Sequence, residues 1–406
     1  MSNSSAKPAA IIFGGVNTCS RELAALLVPT EGEPLVSHLR IVDKFSVAPP
    51  TTYLGSEFPK ILGQSIVEYR QANLTIAATV TSVFDPPEGQ PPYSYVFDLT
   101  GEVRHDRPEK VHINHTFQVA RLIGLEAARR NVKAYVRLQQ PFYTIPEKGT
   151  HDEKEDIKPL GAVGIWWHET LRALAAIQDL NLVILRIGLV YGPYVDYGYI
   201  TTIMSAAAVY GYTKKPMKAL HSPGKYSFNT VHVADVAGGL LASAEWMSSL
   251  GRKEADVLAG EEICFHNSKG MAKEVEGMPP HDRKLIAPLF NLVDDTDNKF
   301  IDGLRMLTGY FGTTFKMEDI MEEINEEHVT GWTEMLQASK PPIQSTPITP
   351  YIDQTALDKH IIAFSNTKIK EVIGYKIKRP QFGPETIGDI VEKWKAEGTW
   401  PNALGK

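Results

Sequence analysis

The sequence predicts an α/β protein with a doubly wound parallel sheet and a smaller C-terminal α+β lobe. Three observations support this prediction. An apolar run at residues 11–13 passes through two glycines into a helical pattern. Strand and helix patterns then alternate up to residue 187, which is typical of a parallel sheet covered by helices. The chain of 406 residues is also long enough for such a domain and an additional lobe.

The composition predicts a soluble globular protein in a reducing compartment. Hydrophobic residues make up 43% and charged residues 22% of the chain, both ordinary values for a globular domain. The net charge of -6 argues against nucleic acid as the main partner. Cys19 and Cys264 are too few for a disulfide framework. No segment resembles a signal peptide or a membrane span, so we expect a cytoplasmic protein.

Each predicted element follows from a local pattern. Apolar or β-branched runs predict strands, and apolar residues at helical spacing predict helices. The predicted strands cover residues 11–13, 39–43, 66–74, 93–101, 132–138 and 182–185, and the predicted helices cover 114–130, 165–177 and 387–400.

The loop after the first strand is a candidate phosphate-binding turn. A strand, a tight turn and a helix together offer backbone N–H groups to a pyrophosphate. Gly14 occupies the first glycine position of the usual pattern, whereas Asn17 and Ser20 stand at the next two. Asn tolerates a left-handed backbone and Ser is small, so both fit such a turn. An ordinary strand-to-helix turn is the alternative.

Asp43 ends the second predicted strand. A carboxylate at this place can accept both hydroxyl groups of an adenosine ribose and repels a 2′-phosphate, which favours NAD(H) over NADP(H). Lys44 weakens this preference. The alternative is an Asp that only caps the end of a strand.

Three histidines, His105, His112 and His115, lie close together in the chain. Their spacing lacks a helical i, i+4 pair supported by a third ligand. We therefore predict no metal site.

Two segments resemble a known family. Residues 183–193, VILRIGLVYGP, resemble the LRpxxVYGP segment of extended short-chain dehydrogenases/reductases, the epimerase/dehydratase class. Residues 228–237, FNTVHVADVA, resemble the strand-to-helix segment of that class. Asn114, residues 132–138 and residues 364–368 are similar to further family segments. The long C-terminal region resembles the layout of the progesterone 5β-reductase and iridoid synthase branch.

The resemblance implies a Rossmann domain over residues 8–194, completed by segments around 228–248 and 263–268. Residues 195–227 and 269–401 would then form the substrate-binding lobe. The resemblance also implies a set of residues against the dinucleotide: Gly14, Asn17, Thr18, Cys19, Asp43, Asn73, Leu74, Leu99, Thr100, Gly101, Gly188 and Val190.

The catalytic pattern of the family is missing. The family uses a Tyr-x-x-x-Lys pair on a helix and a Ser or Thr after the fifth strand, because the lysine lowers the pKa of the tyrosine for proton exchange. Here Gly161 and Ile165 stand at the Tyr and Lys positions when Glu169 is aligned with the later family glutamate. The fifth strand ends in Gln139 and Gln140. No alignment of this helix restores the pair.

Substitutes for the missing pair are available nearby. His168 titrates near neutral pH, Tyr143 offers a phenol, and Gln140 can donate a hydrogen bond to a substrate carbonyl. Each has a structural alternative, such as a polar surface residue or an ordinary loop aromatic. Candidate residues for substrate contact are Trp166, Tyr191 and Lys225, and core packing is the alternative for Trp166.

Three functions remain open from the sequence. The first is an NAD(P)-dependent oxidoreductase or epimerase-like enzyme for a small organic carbonyl or hydroxyl substrate. The second is a non-redox isomerase, lyase or cyclase, and the third is a non-catalytic dinucleotide-binding protein. We favour the first, because the large C-terminal region with its aromatic residues suits the enclosure of an organic substrate. The sequence leaves open whether the protein forms a homodimer.

Overall fold

The computed structural model describes residues 7–318, 324–353 and 357–403. Its centre is a sheet of eight strands in the order β12-β13-β8-β5-β4-β1-β2-β3. All neighbouring strands are parallel except β12, which is antiparallel to β13. The strands are β1 (Ala9–Phe13), β2 (His38–Asp43), β3 (Val67–Gln71), β4 (Tyr93–Asp98), β5 (Ala134–Gln139), β6 (Tyr143–Thr144), β7 (Lys158–Pro159), β8 (Leu182–Ile187), β9 (Leu189–Tyr191), β10 (Met217–Ala219), β11 (Thr230–His232), β12 (Gly260–Glu262), β13 (Ile286–Leu292) and β14 (Phe315–Met317).

Helices cover both faces of the sheet. The described helices are α1 (Thr18–Leu27), α2 (Phe58–Leu62), α3 (Ala77–Val83), α4 (Glu109–His112), α5 (Val119–Arg129), α6 (Gly161–Ala175), α7 (Tyr199–Thr213), α8 (Val233–Leu250), α9 (Arg252–Ala259), α10 (Met271–Glu274), α11 (Phe300–Tyr310), α12 (Ile324–Ala338) and α13 (Pro384–Ala396), with π-helical turns at Ile113–Gln118 and Ile369–Ile373. On one face α1 and α8 contact each other, and on the other α5 and α6 do. Burial on both sides explains why β1, β5 and β8 are apolar along most of their length.

The strand order reverses between β1 and β4. From β1 the chain moves outward to β2 and β3, and it then returns to the other side of β1 for β4, β5, β8 and β13. In open α/β sheets, ligands bind outside the carboxyl ends of the strands at such a switch point. The topology therefore predicts a ligand-binding site at the carboxyl ends of β1 and β4.

A second hydrophobic core lies in the C-terminal lobe. It joins α7, α11, α12 and α13 through large side chains such as Trp332, Trp394 and Trp400. Strands β10 and β14 pair within this lobe. None of the helices in the described ranges is long and apolar enough to span a membrane.

Several expected boundaries differ from the structure. Residues 286–292, expected in the lobe, form strand β13 of the main sheet. The strand that precedes it, Gly260–Glu262, lies just before the segment 263–268 that was expected to complete the Rossmann domain. The expected helix over 114–130 is divided by a π-helical turn, and α6 begins at Gly161 instead of 165. Residues 319–323 and 354–356 of the expected lobe lie outside the described residues.

Candidate functional site

The turn after β1 requires glycine at two positions. Gly14 has a φ of +74°, and a Cβ there would lie 2.7 Å from the carbonyl oxygen of Leu99. A Cβ at Gly15 would lie 2.2 Å from the Cγ2 atom of Ile41. The loop therefore rests directly on the backbone after β4, at the switch point of the sheet.

Asn17 has a different role from the one expected. Its φ of -71° and ψ of 165° are extended, so the tolerance of Asn for a left-handed backbone is not used here. The Asn17 side chain caps α1 by accepting the Ser20 amide at 3.0 Å. Its Nδ2 atom donates to the carbonyl oxygens of Gly14, at 2.8 Å, and Leu99, at 3.2 Å. The side chain thus bridges the crevice between β1 and β4.

The N-terminus of α1 offers free donors. Within the described ranges, the amides of Thr18 and Cys19 have no hydrogen-bond acceptor, as expected for the first turn of a helix. The Thr18 hydroxyl donates to the Asp196 carboxylate at 3.0 Å, and Arg21 pairs with the same carboxylate at 2.6 Å. Burial raises the pKa of the Cys19 thiol to about 12, so it stays protonated. Two amides therefore remain for an anion.

Asp43 lies at the end of β2 and holds the loop. Its carboxylate accepts the Val16 amide at 3.1 Å and the Lys44 amide at 2.6 Å. The side chain is buried, and burial raises the pKa of its carboxyl group. Next to it, Asn73 is exposed and Leu74 is buried. Asp43 thus has a structural function in the loop whether or not it contacts a ribose.

The segment after β4 forms the floor of the crevice. Asp98 accepts the amide of Thr100 at 3.0 Å and its hydroxyl at 2.6 Å. A Cβ at Gly101 would lie 2.4 Å from the indole of Trp167. The Trp167 indole N–H donates to the Glu102 carbonyl at 2.8 Å. Trp167 therefore holds helix α6 against this floor. The Tyr-x-x-x-Lys pair of the resembled family is missing from this helix.

Tyr143 and His168 contact each other although they are distant in the sequence. The His168 Nε2 atom lies 2.7 Å from the carbonyl oxygen of Cys264, and a carbonyl only accepts, so Nε2 carries the proton. Nδ1 therefore accepts the hydrogen bond of the Tyr143 hydroxyl at 3.3 Å. Burial lowers the pKa of His168 to about 3 and raises that of Tyr143 to about 12. Both side chains are neutral at pH 7.

A row of polar side chains crosses three neighbouring strands beside this pair. Arg186 of β8 is in register with Gln139 of β5 and Asn291 of β13. In register, the three side chains point to one face of the sheet, the face that α6 covers. We call them the polar row. Sequence reasoning missed Arg186 and Asn291 as site residues, although a charged residue inside an apolar strand was the available signal.

The other candidate residues lie in different surroundings. Gln140 is half-buried, and its carbonyl accepts the Gln139 side-chain amide at 3.1 Å. Trp166 is fully buried and donates to Glu109 at 2.9 Å, so it packs in the core. Tyr191 is buried against the His232 and Phe382 rings, and Lys225 is exposed. Gly188 is buried and Val190 half-buried after β8.

The fold is shared with solved structures at low sequence identity. WbmG from Bordetella bronchiseptica, in complex with NAD and UDP, has a TM-score of 0.61 at 12% identity and covers 98% of this chain and 97% of its own. UDP-glucose 4-epimerase from Thermotoga maritima, with UDP-glucose, has a TM-score of 0.60 at 14% identity, over 96% and 99%. Pal from Bacillus thuringiensis has a TM-score of 0.63 at 12% identity, over 96% and 99%.

The doubly wound sheet predicted from the sequence is therefore confirmed. At 12–14% identity this likeness is one of fold. No family model matches the sequence, and a search of curated proteins finds no match.

Proposed function

We propose that this chain is an NAD(H)-dependent oxidoreductase or epimerase-like enzyme for a small organic carbonyl or hydroxyl substrate. The observation that carries the proposal is the pair of free amides of Thr18 and Cys19, at the switch point and beside a turn in which no Cβ fits at Gly14. A helix N-terminus and a glycine turn at a switch point together suit a pyrophosphate. WbmG, which shares the fold, was solved with NAD.

The residues around the crevice fit the remaining parts of a dinucleotide. The carboxylate of Asp43 would face the adenosine ribose, and residues 73–74 the adenine. Residues 99–101 would form the floor, and residues 188–190 would lie beside the nicotinamide. When bound, this coenzyme supplies hydride transfer. We favour NAD(H) because the Asp43 carboxylate, held at the end of β2 by the amides of Val16 and Lys44, would repel a 2′-phosphate.

Tyr143 is the proton donor in this proposal. Its phenol is neutral at pH 7 and lies on the α6 side of the sheet, next to the end of β8. His168 holds the phenol in place through Nδ1, and the Cys264 carbonyl fixes the His168 tautomer. Tyr143 would therefore act as an acid that donates a proton to a substrate oxygen, whereas Gln140 would orient that oxygen.

The proposal is tested by titrating the purified protein with NADH and NADPH. We expect quenching of tryptophan fluorescence and a higher Tm with NADH, because a ligand of the native state stabilises it by mass action. Oxidation of NADH with a panel of aldehydes, ketones and enones then tests for a reductase. Conversion of a hydroxyl substrate with no net change in NADH would instead indicate an epimerase. A chain that binds neither coenzyme would refute the proposal.

A non-catalytic dinucleotide-binding protein is the second candidate. One observation favours it: the Asn17 side chain bridges the crevice where the family has glycine. The two candidates differ in turnover. Binding of NADH without conversion of any substrate class in the panel would support the second candidate over the first.

A further inference from the structure

Arg186 is a buried cation without a counter-ion. Its side chain is 3% exposed, and within the described ranges no carboxylate oxygen lies within 4.0 Å of its guanidinium group. The Nε atom donates to Asn291 Oδ1 at 2.7 Å, and an Nη2 contact to the Asp152 carbonyl is 3.5 Å long. Buried charges are normally paired, because the loss of hydration costs several kcal/mol. This arginine therefore calls for a functional explanation.

The guanidinium group lies between two aromatic rings. Its carbon is 5.5 Å from the ring centroid of Tyr143 and 4.6 Å from that of Phe364. The Tyr143 hydroxyl also contacts His168, which presents an unprotonated Nδ1. His168 cannot donate to a phenolate, since its single N–H is directed at the Cys264 carbonyl. Arg186 is thus the cation in contact with Tyr143.

We infer that Arg186 is the positioning residue that replaces the missing family lysine, by stabilising the negative charge that forms on Tyr143 when the phenol releases its proton. The inference rests on the proposed function and adds the electrostatic partner of its proton donor. A cation within about 4–6 Å favours an anionic neighbour. Within the polar row, Asn291 orients the guanidinium group through its Oδ1 atom, and the Glu153 carboxylate accepts the backbone amide of Asn291 at 2.7 Å.

In a reduction, bound NADH would supply the hydride that the carbonyl carbon of the substrate gains. The substrate oxygen would take the proton of the Tyr143 hydroxyl, so that the C=O double bond becomes an alcohol. The O–H bond of Tyr143 breaks and its electron pair stays on the phenolate beside Arg186. Water later returns a proton to the phenolate. In an oxidation the same steps run in reverse.

Other charged groups around Tyr143 and Arg186 also affect the pKa of Tyr143. Burial raises the pKa of Tyr143, and the positive charge of Arg186 acts against it. The acidic groups nearby, which favour the neutral phenol or offset the guanidinium charge, are Glu169 on α6 and Asp152, Glu153 and Asp156 in the loop between β6 and β7. The proposal predicts that the charge of Arg186 outweighs them.

The test is a titration of Tyr143 that needs no substrate. A difluorotyrosine placed at position 143 has a more acidic phenol than tyrosine, so it titrates at a pH at which the protein is still folded. Its ¹⁹F NMR signal follows that titration. In Arg186→Gln we expect the titration to move to higher pH by about one to three pH units, whereas Arg186→Lys retains most of the original position. A difluorotyrosine at the exposed Tyr351 is the control, and its titration should not move in either variant.

The kinetic test uses the carbonyl that turns over best in the panel. We expect kcat to fall on the order of 100-fold in Arg186→Gln, with a shifted pH profile and an unchanged Kd for NADH. Arg186→Lys should recover much of kcat. If the phenol titration is the same in Arg186→Gln and the wild type, the inference is wrong even where NADH binds and turns over. If the wild type does not bind NADH, the proposed function fails instead, and the NMR result still decides the role of Arg186.

Should Arg186→Gln not fold, the comparison of Arg186→Lys with the wild type decides. The lysine ammonium keeps the charge but cannot copy the planar contact with both rings. A small displacement of the Tyr143 titration towards higher pH, with most of the original position retained and the Tyr351 signal unchanged, would support the inference. An unmoved titration accompanied by the loss of kcat would contradict it.

Discussion

The carboxyl edge of the sheet has two parts, called here the coenzyme edge and the catalytic edge, which differ in what carries their proposed function. At the coenzyme edge, formed by the ends of β1, β2 and β4, the donors are backbone amides and the steric requirement is the absence of a Cβ at Gly14. At the catalytic edge, formed by the ends of β5, β8 and β13 with α6, the chemistry depends on Tyr143, His168 and Arg186. A backbone site tolerates changes of sequence that a side-chain site does not. The coenzyme edge therefore keeps its form with Asn17 and Ser20 in place of glycines, whereas the catalytic edge must use residues from other elements.

The broadest expected effect comes from Gly14→Ala, because it changes both stability and coenzyme binding. A Cβ there meets the Leu99 carbonyl oxygen at 2.7 Å, and a left-handed backbone costs a non-glycine residue about 1–2 kcal/mol. We expect a lower Tm and a loss of NADH affinity of more than about tenfold, or about 1.4 kcal/mol. The control is Gly89→Ala, which has a φ of +77° and no atom within 4 Å of its Cβ. Equal Kd values for NADH in the two variants would contradict a coenzyme site at Gly14.

Tyr143→Phe tests the catalytic edge directly. Loss of the proton donor should lower kcat by about 100-fold or more, while the lost hydrogen bond to His168 costs only about 1 kcal/mol of stability. The change is measured by turnover of NADH with the best carbonyl substrate. Tyr93→Phe is the matched control, because its hydroxyl is buried without a partner in the described part of the chain. Near-normal kcat in Tyr143→Phe would remove Tyr143 from the mechanism.

His168→Gln should change the pH dependence of stability. The pKa of His168 is about 3 in the folded chain and about 6.5 when unfolded. The unfolded state therefore binds more protons between these values. The stabilising contribution is complete above pH 6.5 and is lost on acidification towards pH 3, with a slope of about 1.4 kcal/mol per pH unit for one proton. Urea unfolding at several pH values should show a shallower slope in His168→Gln than in the wild type.

His328→Gln is the control that separates a change in the pH dependence of stability from a loss of catalysis. Burial lowers the pKa of His328 in the lobe to about 4, so its replacement also flattens the acid slope. We expect kcat to stay near that of the wild type in His328→Gln and to fall in His168→Gln. A His168→Gln variant with normal kcat and only the changed slope would indicate a purely structural histidine.

The smallest expected effect is a gain in NADH affinity, which we expect from Asn17→Ser at the coenzyme edge. Serine can still cap α1, but the two hydrogen bonds from Asn17 Nδ2 across the crevice are lost. We expect NADH to bind about fivefold more tightly, the equivalent of one net hydrogen bond of about 1 kcal/mol. Isothermal titration measures the change. A weaker Kd would show that the Asn17 amide is part of the coenzyme site and does not obstruct it.

Local pattern was enough to predict the main sheet, because strands buried on both faces are apolar runs separated by turns. It failed where packing determines the element. Strand β13 follows a long irregular segment, and only its pairing with β8 shows that it belongs to the main sheet. The helical pattern over 114–130 predicts one continuous helix, because local periodicity does not distinguish the π-helical turn at Ile113–Gln118 from an α-helix.

The sequence by itself determined the alternation of strands and helices and the glycine turn at Gly14, since both depend on periodicity and on the absence of a side chain. It also showed that the Tyr-x-x-x-Lys pair is missing. Only the tertiary structure decided that Tyr143 contacts His168, and that Arg186 faces the same phenol. These residues lie on a loop, a helix and a strand that are far apart in the chain, so no local pattern links them. Their contact exists because parallel strands end at one edge of the sheet and α6 packs across it.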